Sequence, residues 1–212
     1  MLQENLKSNL TDDASTSENC IINLYPEAYL KIIYHSLTYA NRLRDKNDWL
    51  EVMGWLSGKI TKDKSTNFEI IHVTKSWAIS HGDAVSVKID DYGKALNKVL
   101  VKLSNRNESI LGWYHSHPSY GLFMSQTDFD TQLSYQRLFK QAVALVFDHT
   151  LWSDIHSGIE AYRLQSDFKT FEKIPIMVAN YKMNLNSPLY KIFMKKITNK
   201  IYLDEIDSSN EY

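Results

Sequence analysis

The spacing of apolar residues predicts three helices between residues 26 and about 139. After Pro26, which suits the first turn of a helix because it lacks a backbone N–H, apolar residues recur every three or four positions up to about residue 40. A second helix is predicted to start from an acidic cap at residues 90–91 and to end near Leu103. The third helix is predicted to begin at Ser125 and to run for roughly 14 residues.

Runs of β-branched, aromatic and other apolar residues predict strands between and after these helices. The predicted strands cover residues 50–60, 68–79, 109–114, 142–147 and 159–164. Strands and helices that alternate along a chain assemble into a sheet covered by helices. The expected fold class is therefore α/β (α+β), with a mixed β-sheet flanked by helices and a C-terminal helical extension.

The two ends of the chain differ from its centre in composition. Residues 1–19 are rich in Ser, Thr, Asn and Asp and are expected to form a flexible acidic arm. Residues 166–212 are expected to form a C-terminal extension, with an amphipathic helix over residues 188–200 and an acidic tail. A single domain is expected between them, over residues 20–165.

The composition is that of a folded globular protein, with 43% hydrophobic and 23% charged residues. No apolar run reaches the ~18 residues of a membrane span, and no basic-then-apolar signal opens the chain, so neither membrane insertion nor secretion is expected. Formal charges sum to −3 over residues 1–19 and to −4 over residues 203–212, which leaves +6 for the rest. That surplus is too dispersed to predict nucleic-acid binding.

The chain has a single cysteine, Cys20, and therefore no internal disulfide and no Cys-rich zinc site. This usage is typical of a reducing compartment, and a cytoplasmic location is expected. Any bound metal must then be held by histidine and carboxylate side chains.

Two histidines separated by one residue follow the strand predicted over 109–114. Because side chains alternate along a strand, His115 and His117 project to the same face and can converge on one metal ion. Asp128 lies in the first turn of the next helix, and the loop between is long enough to bring its carboxylate to the histidines. Two histidines and one carboxylate leave the fourth tetrahedral position open to water, as in catalytic zinc sites.

Each of these residues also has a purely structural interpretation. A His-x-His pair alone commonly consists of two unrelated histidines. Ser125 and Asp128 have the spacing of a capping box, in which an N-cap serine and an acid three residues on exchange hydrogen bonds. The two interpretations of Asp128 are compatible, since a cap would hold its carboxylate rigidly. The other histidines lack matched spacing and are interpreted as surface or packing residues: His35, His72, His81, His149 and His156.

A metal-bound water needs a general base beside it, and spacing alone does not select one among the 25 acidic residues. Glu51 stands out because it begins an apolar strand, Val52 to Leu56, where a carboxylate is unusual. A partly buried carboxylate has a raised pKa and suits proton transfer near neutral pH. The alternative is a strand-edge charge that faces solvent.

Together these positions resemble the JAMM (MPN+) metalloprotease motif, in which a glutamate is followed at a distance by His-Ser/Thr-His-Pro and Ser-x-x-Asp. All five polar positions are present in Glu51-Val-Met-Gly, His115-Ser-His-Pro and Ser125-x-x-Asp128. The residues before His115 and the apolar strand that ends at Phe147-Asp148 are similar to those of the deubiquitinating subunits of the proteasome lid and the signalosome.

The resemblance implies an MPN (cytidine-deaminase-like) fold and a zinc-dependent isopeptidase that removes ubiquitin or a ubiquitin-like modifier from lysine. It also implies that His115, His117 and Asp128 bind Zn²⁺. Glu51 would take a proton from the attacking water and pass it to the lysine amine, and Ser125 would donate a hydrogen bond to the oxyanion. The implied partners are conjugates of the modifier and an MPN-domain or proteasome-like complex.

The segment after residue 82 resembles the first insertion of the family, a flap that can pair with the extended C-terminal tail of ubiquitin. The resemblance thereby marks as substrate-binding Asp83, Ala84, Val85, Ser86 and Val87. An ordinary packed strand is the alternative for this segment. Two other functions stay open: a non-catalytic MPN scaffold subunit, against which the retained ligands argue, and a JAMM protease that processes a sulfur-carrier protein with a ubiquitin-like fold.

Overall fold

The computed structural model describes residues 19–82, 89–153 and 155–178, together with residue 195. Three expectations from the sequence lie outside these residues: the acidic arm up to residue 18, the flap at Asp83 to Val87, and the C-terminal helix and tail apart from residue 195. They stay predictions.

Within the described ranges the chain forms three helices and eight strands. The helices are α1 (Pro26–Tyr39), α2 (Ile89–Ser104) and α3 (Gln126–Leu138). The strands are β1 (Cys20–Leu24), β2 (Val52–Lys62), β3 (Glu69–His81), β4 (Ser109–Ser116), β5 (Val143–Phe147), β6 (Ile159–Leu164), β7 (Phe171–Lys173) and β8 (Ile176–Val178). None of the described helices combines the length and the apolar character needed to cross a membrane.

The eight strands form one mixed sheet in the order β7-β6-β5-β4-β2-β3-β1-β8. β1 runs parallel to both β3 and β8, and β4 runs parallel to β5. The other neighbouring pairs are antiparallel. A mixed sheet with helices packed on it confirms the fold class expected from the sequence.

The sheet curls until its two edges are joined by one short segment. The Ile174 N–H donates to the carbonyl of Ala161 in β6 (2.9 Å), and the carbonyl of Pro175 accepts from Ile22 in β1 (2.8 Å). These two hydrogen bonds extend the β6–β7 and β1–β8 ladders to the two residues that link the edge strands β7 and β8. The sheet therefore continues past residue 165, where the sequence had suggested the end of the domain.

The helices lie on both faces of the sheet because each face presents apolar residues. α1 begins at Pro26, as predicted, and buries Ile32, Ile33 and Leu37 in the main core. α2 packs on the other face, where Val99 and Leu103 contact Trp55. Full burial of such a side chain stabilises the fold by about 1.5–3 kcal/mol.

Two helix and strand starts differ from the sequence prediction, and two short strands were not predicted. β2 begins at Val52 and not at residue 50, which leaves Glu51 ahead of the strand. α2 begins at Ile89, so residues 90–91 lie inside the helix and not at its cap. β7 and β8 have three residues each, too few for an alternating pattern to appear in the sequence.

Candidate metal centre

Two histidines lie at the C-terminal end of β4, His115 within the strand and His117 just after it. The strand lies between antiparallel β2 and parallel β5. His115 stacks on Trp113, with ring centroids 4.8 Å apart and planes 17° apart. His117 follows the strand, and its N–H donates to the carbonyl of Phe147 in β5 (2.9 Å), which extends the ladder. The Nε2 atoms of the two histidines lie 3.0 Å apart, so the side chains converge as the strand alternation predicted.

Asp128, in the first turn of α3, is the third member of this group. Ser125 caps the helix: its Oγ accepts from the Asp128 N–H (3.2 Å), and its own N–H (2.7 Å) and O–H (2.6 Å) donate to Asp128 Oδ2. The predicted capping box is therefore confirmed. The other carboxylate oxygen, Oδ1, lies 3.4 Å from His115 Nε2. The cap thus holds the carboxylate against the histidines.

The three side chains fit a metal ion. One ligand atom each from His115, His117 and Asp128 lies within 4.8 Å of the other two, and all three residues are buried. Ligand atoms ~2.0–2.1 Å from a tetrahedral zinc ion are about 3.3 Å apart, close to the 3.0 Å and 3.4 Å separations in this group. His117 Nδ1 lies 3.1 Å from the carbonyl of Gly121. A carbonyl only accepts, so Nδ1 carries the proton and Nε2 is left with its lone pair.

The surroundings favour the protonation states that bind metal. Burial, followed by the charge of His115, lowers the pKa of His117 below its ordinary value, so the ring is neutral at neutral pH. Burial alone would raise the pKa of Asp128, but the hydrogen bond and charge of His115 and the hydrogen bonds of Ser125 outweigh it and lower that pKa to about 2. Neutral imidazole and ionised carboxylate are the metal-binding forms.

A buried carboxylate outside the metal group holds the loop after β4. Asp148 is 1% exposed and accepts from the N–H groups of Ser119 (3.2 Å) and Gly121 (2.8 Å). It also accepts from the N–H (2.8 Å) and O–H (2.7 Å) of Thr150. Because the Gly121 carbonyl is the partner of His117 Nδ1, Asp148 fixes the peptide segment that orients the His117 ring.

Glu51 and Ser125 lie in the same cleft as the three candidate ligands. The cleft has a volume of about 330 Å³, and its wall is completed by aromatic residues that include Trp113, Tyr120 and Phe123. The structure thus brings together all five residues that the sequence predicted as ligands or catalytic groups. The predicted substrate-binding residues 83–87 lie outside the described part of the chain.

Of the two interpretations of Glu51, a partly buried carboxylate and a charge that faces solvent, the structure has the second. Glu51 is exposed because it precedes β2 instead of forming part of it. Its backbone is nevertheless held on both sides. Its carbonyl accepts from Gly82 (2.9 Å), and the next N–H, that of Val52, donates to the buried hydroxyl of Ser116 (3.0 Å). Ser116, between the two histidines, therefore ties Glu51 to the strand that carries them.

Buried glutamines, which sequence reasoning missed, fasten α3 to the sheet. Trp113 Nε1 donates to Gln132 Oε1 (2.8 Å), and Gln132 Nε2 donates to Gln136 Oε1 (2.8 Å) and to the carbonyl just before β5 (2.8 Å). Gln136 exchanges two hydrogen bonds with the backbone of Leu164. Asp128, Gln132 and Gln136 recur every four residues, so a polar stripe of α3 faces the sheet. That four-residue spacing is the feature of the sequence that could have revealed the polar stripe.

The remaining histidines lie outside the metal group, as the sequence predicted. His35 Nδ1 lies 2.8 Å from the hydroxyl of Tyr114, and His81 stacks on Tyr39 with ring centroids 4.0 Å apart. His149 packs edge-on against Trp49. These are packing contacts and place no further imidazole in the cleft.

Comparison with known proteins places the chain in a family. A model of the JAB1/Mov34/MPN/PAD-1 ubiquitin protease family matches residues 17–141. The ubiquitin carboxyl-terminal hydrolase RPN11 of Saccharomyces cerevisiae is 34% identical over 117 residues, which are 54% of this chain and 37% of that protein. The 26S proteasome non-ATPase regulatory subunit 14 of Dictyostelium discoideum is 31% identical over 149 residues, 69% of this chain and 44% of the relative.

A protein of Caenorhabditis elegans described as uncharacterized is 33% identical over 150 residues, 70% of this chain and 42% of that protein. This chain therefore spans about two fifths of the length of these relatives. A solution structure from Desulfitobacterium hafniense aligns with a TM-score of 0.47 and 14% identity, over 76% of this chain and 94% of the other. Since the family match covers more than half of the sequence, this chain belongs to the JAB1/Mov34/MPN/PAD-1 ubiquitin protease family.

Proposed function

We propose that this protein is a zinc-dependent isopeptidase that removes ubiquitin or a ubiquitin-like modifier from lysine. The observation that carries the proposal is the convergence of three buried ligand groups, from His115, His117 and Asp128, in a cleft that also contains Glu51. The name of the yeast relative, a ubiquitin carboxyl-terminal hydrolase, supports the reaction class.

His115 and His117 would hold Zn²⁺ through Nε2, and Asp128 through a carboxylate oxygen. When bound there, zinc would act as a Lewis acid and lower the pKa of a water molecule to about 7. The hydrogen bond from His117 Nδ1 to Gly121 keeps the tautomer that such binding requires.

Glu51 is the proposed general base. Its carboxylate lies in the cleft with the ligand group and is exposed, so it can reach both a water molecule and a bound substrate. It would accept a proton from the attacking water and return that proton to the lysine amine as the isopeptide bond breaks. The backbone hydrogen bonds on either side of Glu51 hold it in place while the proton moves.

Ser125 is proposed to stabilise the oxyanion that forms at the isopeptide carbonyl. Its hydroxyl donates to Asp128 Oδ2, so this role requires the O–H to turn towards the substrate. The Ser125 N–H, 2.7 Å from the same oxygen, would keep the carboxylate in place during that rotation. Removal of one oxyanion donor typically lowers kcat about 10²- to 10³-fold.

The substrate and partners are proposed on the same basis. An extended tail that ends in Gly-Gly would lie in the cleft, and the flap at residues 83–87 would pair with it as an added strand. Several relatives are named as regulatory subunits of the 26S proteasome, which supports assembly of this chain with an MPN-domain or proteasome-like partner. A cytoplasmic location is proposed for such a system.

The proposal is tested by cleavage of a ubiquitin-like protein isopeptide-linked through its Gly-Gly tail. Wild type should cleave it, a zinc chelator should stop cleavage, and Glu51→Gln should retain one zinc ion while losing activity by about 10²-fold or more. Asp48→Asn, which removes an exposed carboxylate three residues away, is the matched control and should cleave normally.

Two outcomes would contradict this function. A chain that takes up no zinc is not a metalloprotease, and a non-catalytic scaffold subunit would then be the better description. A chain that takes up zinc and cleaves only a sulfur-carrier-type protein would move the substrate to that class. Addition of candidate assembly partners to the assay distinguishes an inactive isolated subunit from an inactive protein.

A further inference from the structure

The two histidines of the metal group are held in different ways. His117 Nδ1 is bound to the Gly121 carbonyl at 3.1 Å, so a hydrogen bond fixes the orientation of its ring. His115 is 4% exposed, and its Nδ1 is buried without a hydrogen-bond partner in the described part of the chain. A metal-binding histidine almost always donates from its second ring nitrogen to an acceptor, because that bond sets the tautomer and the direction of the metal-facing nitrogen. The orientation of the His115 ring therefore depends on another contact.

Trp113 supplies that contact from the same face of β4. Residues two positions apart on a strand project to the same side. The two rings stack, with centroids 4.8 Å apart and planes 17° apart. His117 packs edge-on against the His115 ring, with centroids 4.6 Å apart and planes 70° apart. The stacked indole thus restricts rotation of the His115 ring, whose Nε2 lies 3.4 Å from Asp128 Oδ1.

The indole of Trp113 is itself fixed by α3. Trp113 is 2% exposed, and its N–H donates to Gln132 Oε1 at 2.8 Å. Gln132 is fully buried, and its Nε2 donates to Gln136 Oε1 and to the carbonyl of Ala142, both at 2.8 Å. The acceptor of the indole N–H is therefore held by the helix and by the residue before β5. Rotation of the indole would break its hydrogen bond, and a buried donor without a partner is unfavourable.

From the unpaired Nδ1 of His115 and the fixed indole beside it, we infer that Trp113 is a positioning residue for the metal centre and that Gln132 acts through it. The inference rests on the zinc site of the proposed function and adds a second means of orientation to that site. His117 is oriented by a hydrogen bond, whereas His115 is oriented by stacking on an indole that a helix holds in place. The zinc affinity is thereby coupled to the packing of α3 on the sheet.

The zinc affinity of the full chain, measured by competition with a coloured chelator, tests the role of Trp113. Trp113→Leu removes the ring and is expected to weaken zinc binding about 10- to 100-fold, the usual effect of losing a group that orients a metal ligand. Trp113→Phe keeps a ring against His115 and should retain most of the affinity. Trp77→Leu is the matched control and should bind zinc as wild type does. It also removes a packed indole, one whose N–H donates to Ser57 Oγ (2.9 Å) between β3 and β2.

A double-mutant cycle tests whether Gln132 acts through the indole. Gln132→Leu alone should weaken zinc binding several-fold, because it frees the indole N–H of Trp113. In a Trp113→Phe background, which has no indole N–H, the same substitution should change the zinc affinity by less than about twofold. An equal effect of Gln132→Leu in both backgrounds would overturn the route through Trp113. This cycle does not require Trp113→Leu to fold.

A measurement on the metal-free protein separates ring orientation from stability. In NMR spectra, the ring current of the indole should shift the carbon-bound ring protons of His115 upfield. Trp113→Leu should remove that shift, and Trp77→Leu should leave it. Wild-type zinc affinity in Trp113→Leu, or unchanged His115 signals, would overturn the inference.

Failure of this inference is distinguishable from failure of the proposed function. A loss of zinc affinity in Trp113→Leu supports the positioning role even if the wild-type protein cleaves no modifier, a result that would contradict the isopeptidase function alone. Normal cleavage and normal zinc binding by Trp113→Leu would contradict the positioning role alone. A wild type that takes up no zinc would contradict both.

Discussion

The orientation of the His117 ring depends on residues that are not themselves candidate ligands. His117 Nδ1 is bound to the Gly121 carbonyl, and the Gly121 N–H is bound to Asp148. Asp148 stays ionised because the hydrogen bonds it accepts, first from Thr150, outweigh the effect of its burial and lower its pKa. A metal site of this kind is sensitive to such supporting groups, since they set both tautomer and ring position.

Asp148→Asn is expected to lower zinc affinity about 10- to 100-fold, the usual effect of losing a group that orients a metal ligand. An amide keeps the size of the side chain but replaces one acceptor oxygen with a donor, which then faces the N–H groups of the loop. Zinc affinity measured by competition with a coloured chelator gives the result. Asp167→Asn, which changes an exposed carboxylate that accepts from Lys169 (2.9 Å), should leave the affinity unchanged. Equal affinities in both variants would disprove the role of Asp148.

Gly112 is required where β4 approaches β5. Its φ of 148° is rarely adopted by residues with a side chain, and an added Cβ would lie 1.9 Å from the carbonyl oxygen of Val143. Gly112→Ala is therefore expected to lower the free energy of unfolding by about 3–5 kcal/mol. Gly93→Ala in α2, where nothing lies within 4 Å of the added Cβ, should instead raise it by about 0.5–1 kcal/mol. Urea denaturation measures both, and a loss in both variants would contradict the steric explanation.

At the scale of elements, the fully buried face of α3 joins the sheet through hydrogen bonds, beside ring contacts from Phe129 and Tyr135. Its buried residues are Asp128, Gln132 and Gln136. The same face thus carries the metal-group carboxylate at one end and the two glutamines that fix the helix along the rest of its length. Buried amide groups need hydrogen-bond partners. The hydrogen bonds of the two glutamines therefore also specify the position of α3 along the sheet.

Gln132→Leu is expected to lower the free energy of unfolding by about 2–3 kcal/mol. The substitution would leave the indole N–H of Trp113 buried without its partner and would remove the donor to the Ala142 carbonyl, at about 1–3 kcal/mol for an unsatisfied group. Gln126→Leu, at the exposed first position of α3, is the control and should change the stability by less than about 0.5 kcal/mol. Equal effects of the two variants in thermal or urea unfolding would show that the glutamine network is not what attaches α3.

At the scale of the whole molecule, the segment between β7 and β8 closes the curled sheet. Ile174 in this segment is 3% exposed and belongs to the main core, while its N–H bonds to β6 and the next carbonyl bonds to β1, the strands beside the two edge strands. A segment that lies outside the predicted domain thus completes the core of that domain.

Ile174→Ala is expected to destabilise the protein by about 2–5 kcal/mol, the range for removing a large aliphatic side chain from a core. Met177→Ala, three residues on and 54% exposed, should change the stability by less than about 0.5 kcal/mol. Equilibrium denaturation of the two variants tests whether the closing segment belongs to the cooperative unit. A small effect at Ile174 would mean that the domain folds without it.

The stability of the metal-free protein is expected to fall on acidification from about pH 7 to about pH 5. Burial lowers the pKa values of His149 and His117. Unfolding therefore takes up protons in this range, and stability is lost as the pH falls below the unfolded value of about 6.5. Asp128, whose pKa is about 2 when folded, adds a further loss below about pH 4. Denaturation midpoints across the pH range test this, and His149→Phe should flatten the first step while His156→Gln should not.

Local spacing and residue chemistry determined much of this protein from the sequence alone. The convergence of His115 and His117 follows from strand alternation, and the cap that holds Asp128 follows from a three-residue spacing. The helix that starts at Pro26 follows from its apolar period. Each depends on residues a few positions apart, whose geometry the backbone alone sets.

Only the tertiary structure decided the features that join distant parts of the chain. The Asp148 bond to Gly121 spans 27 positions, and the contact of Arg163 with Cys20 spans 143. The exposure of Glu51 depends on where the pairing of β2 with β3 and β4 begins. No local pattern encodes such contacts, because they arise when the curl of the sheet and the packing of α3 bring separate segments together.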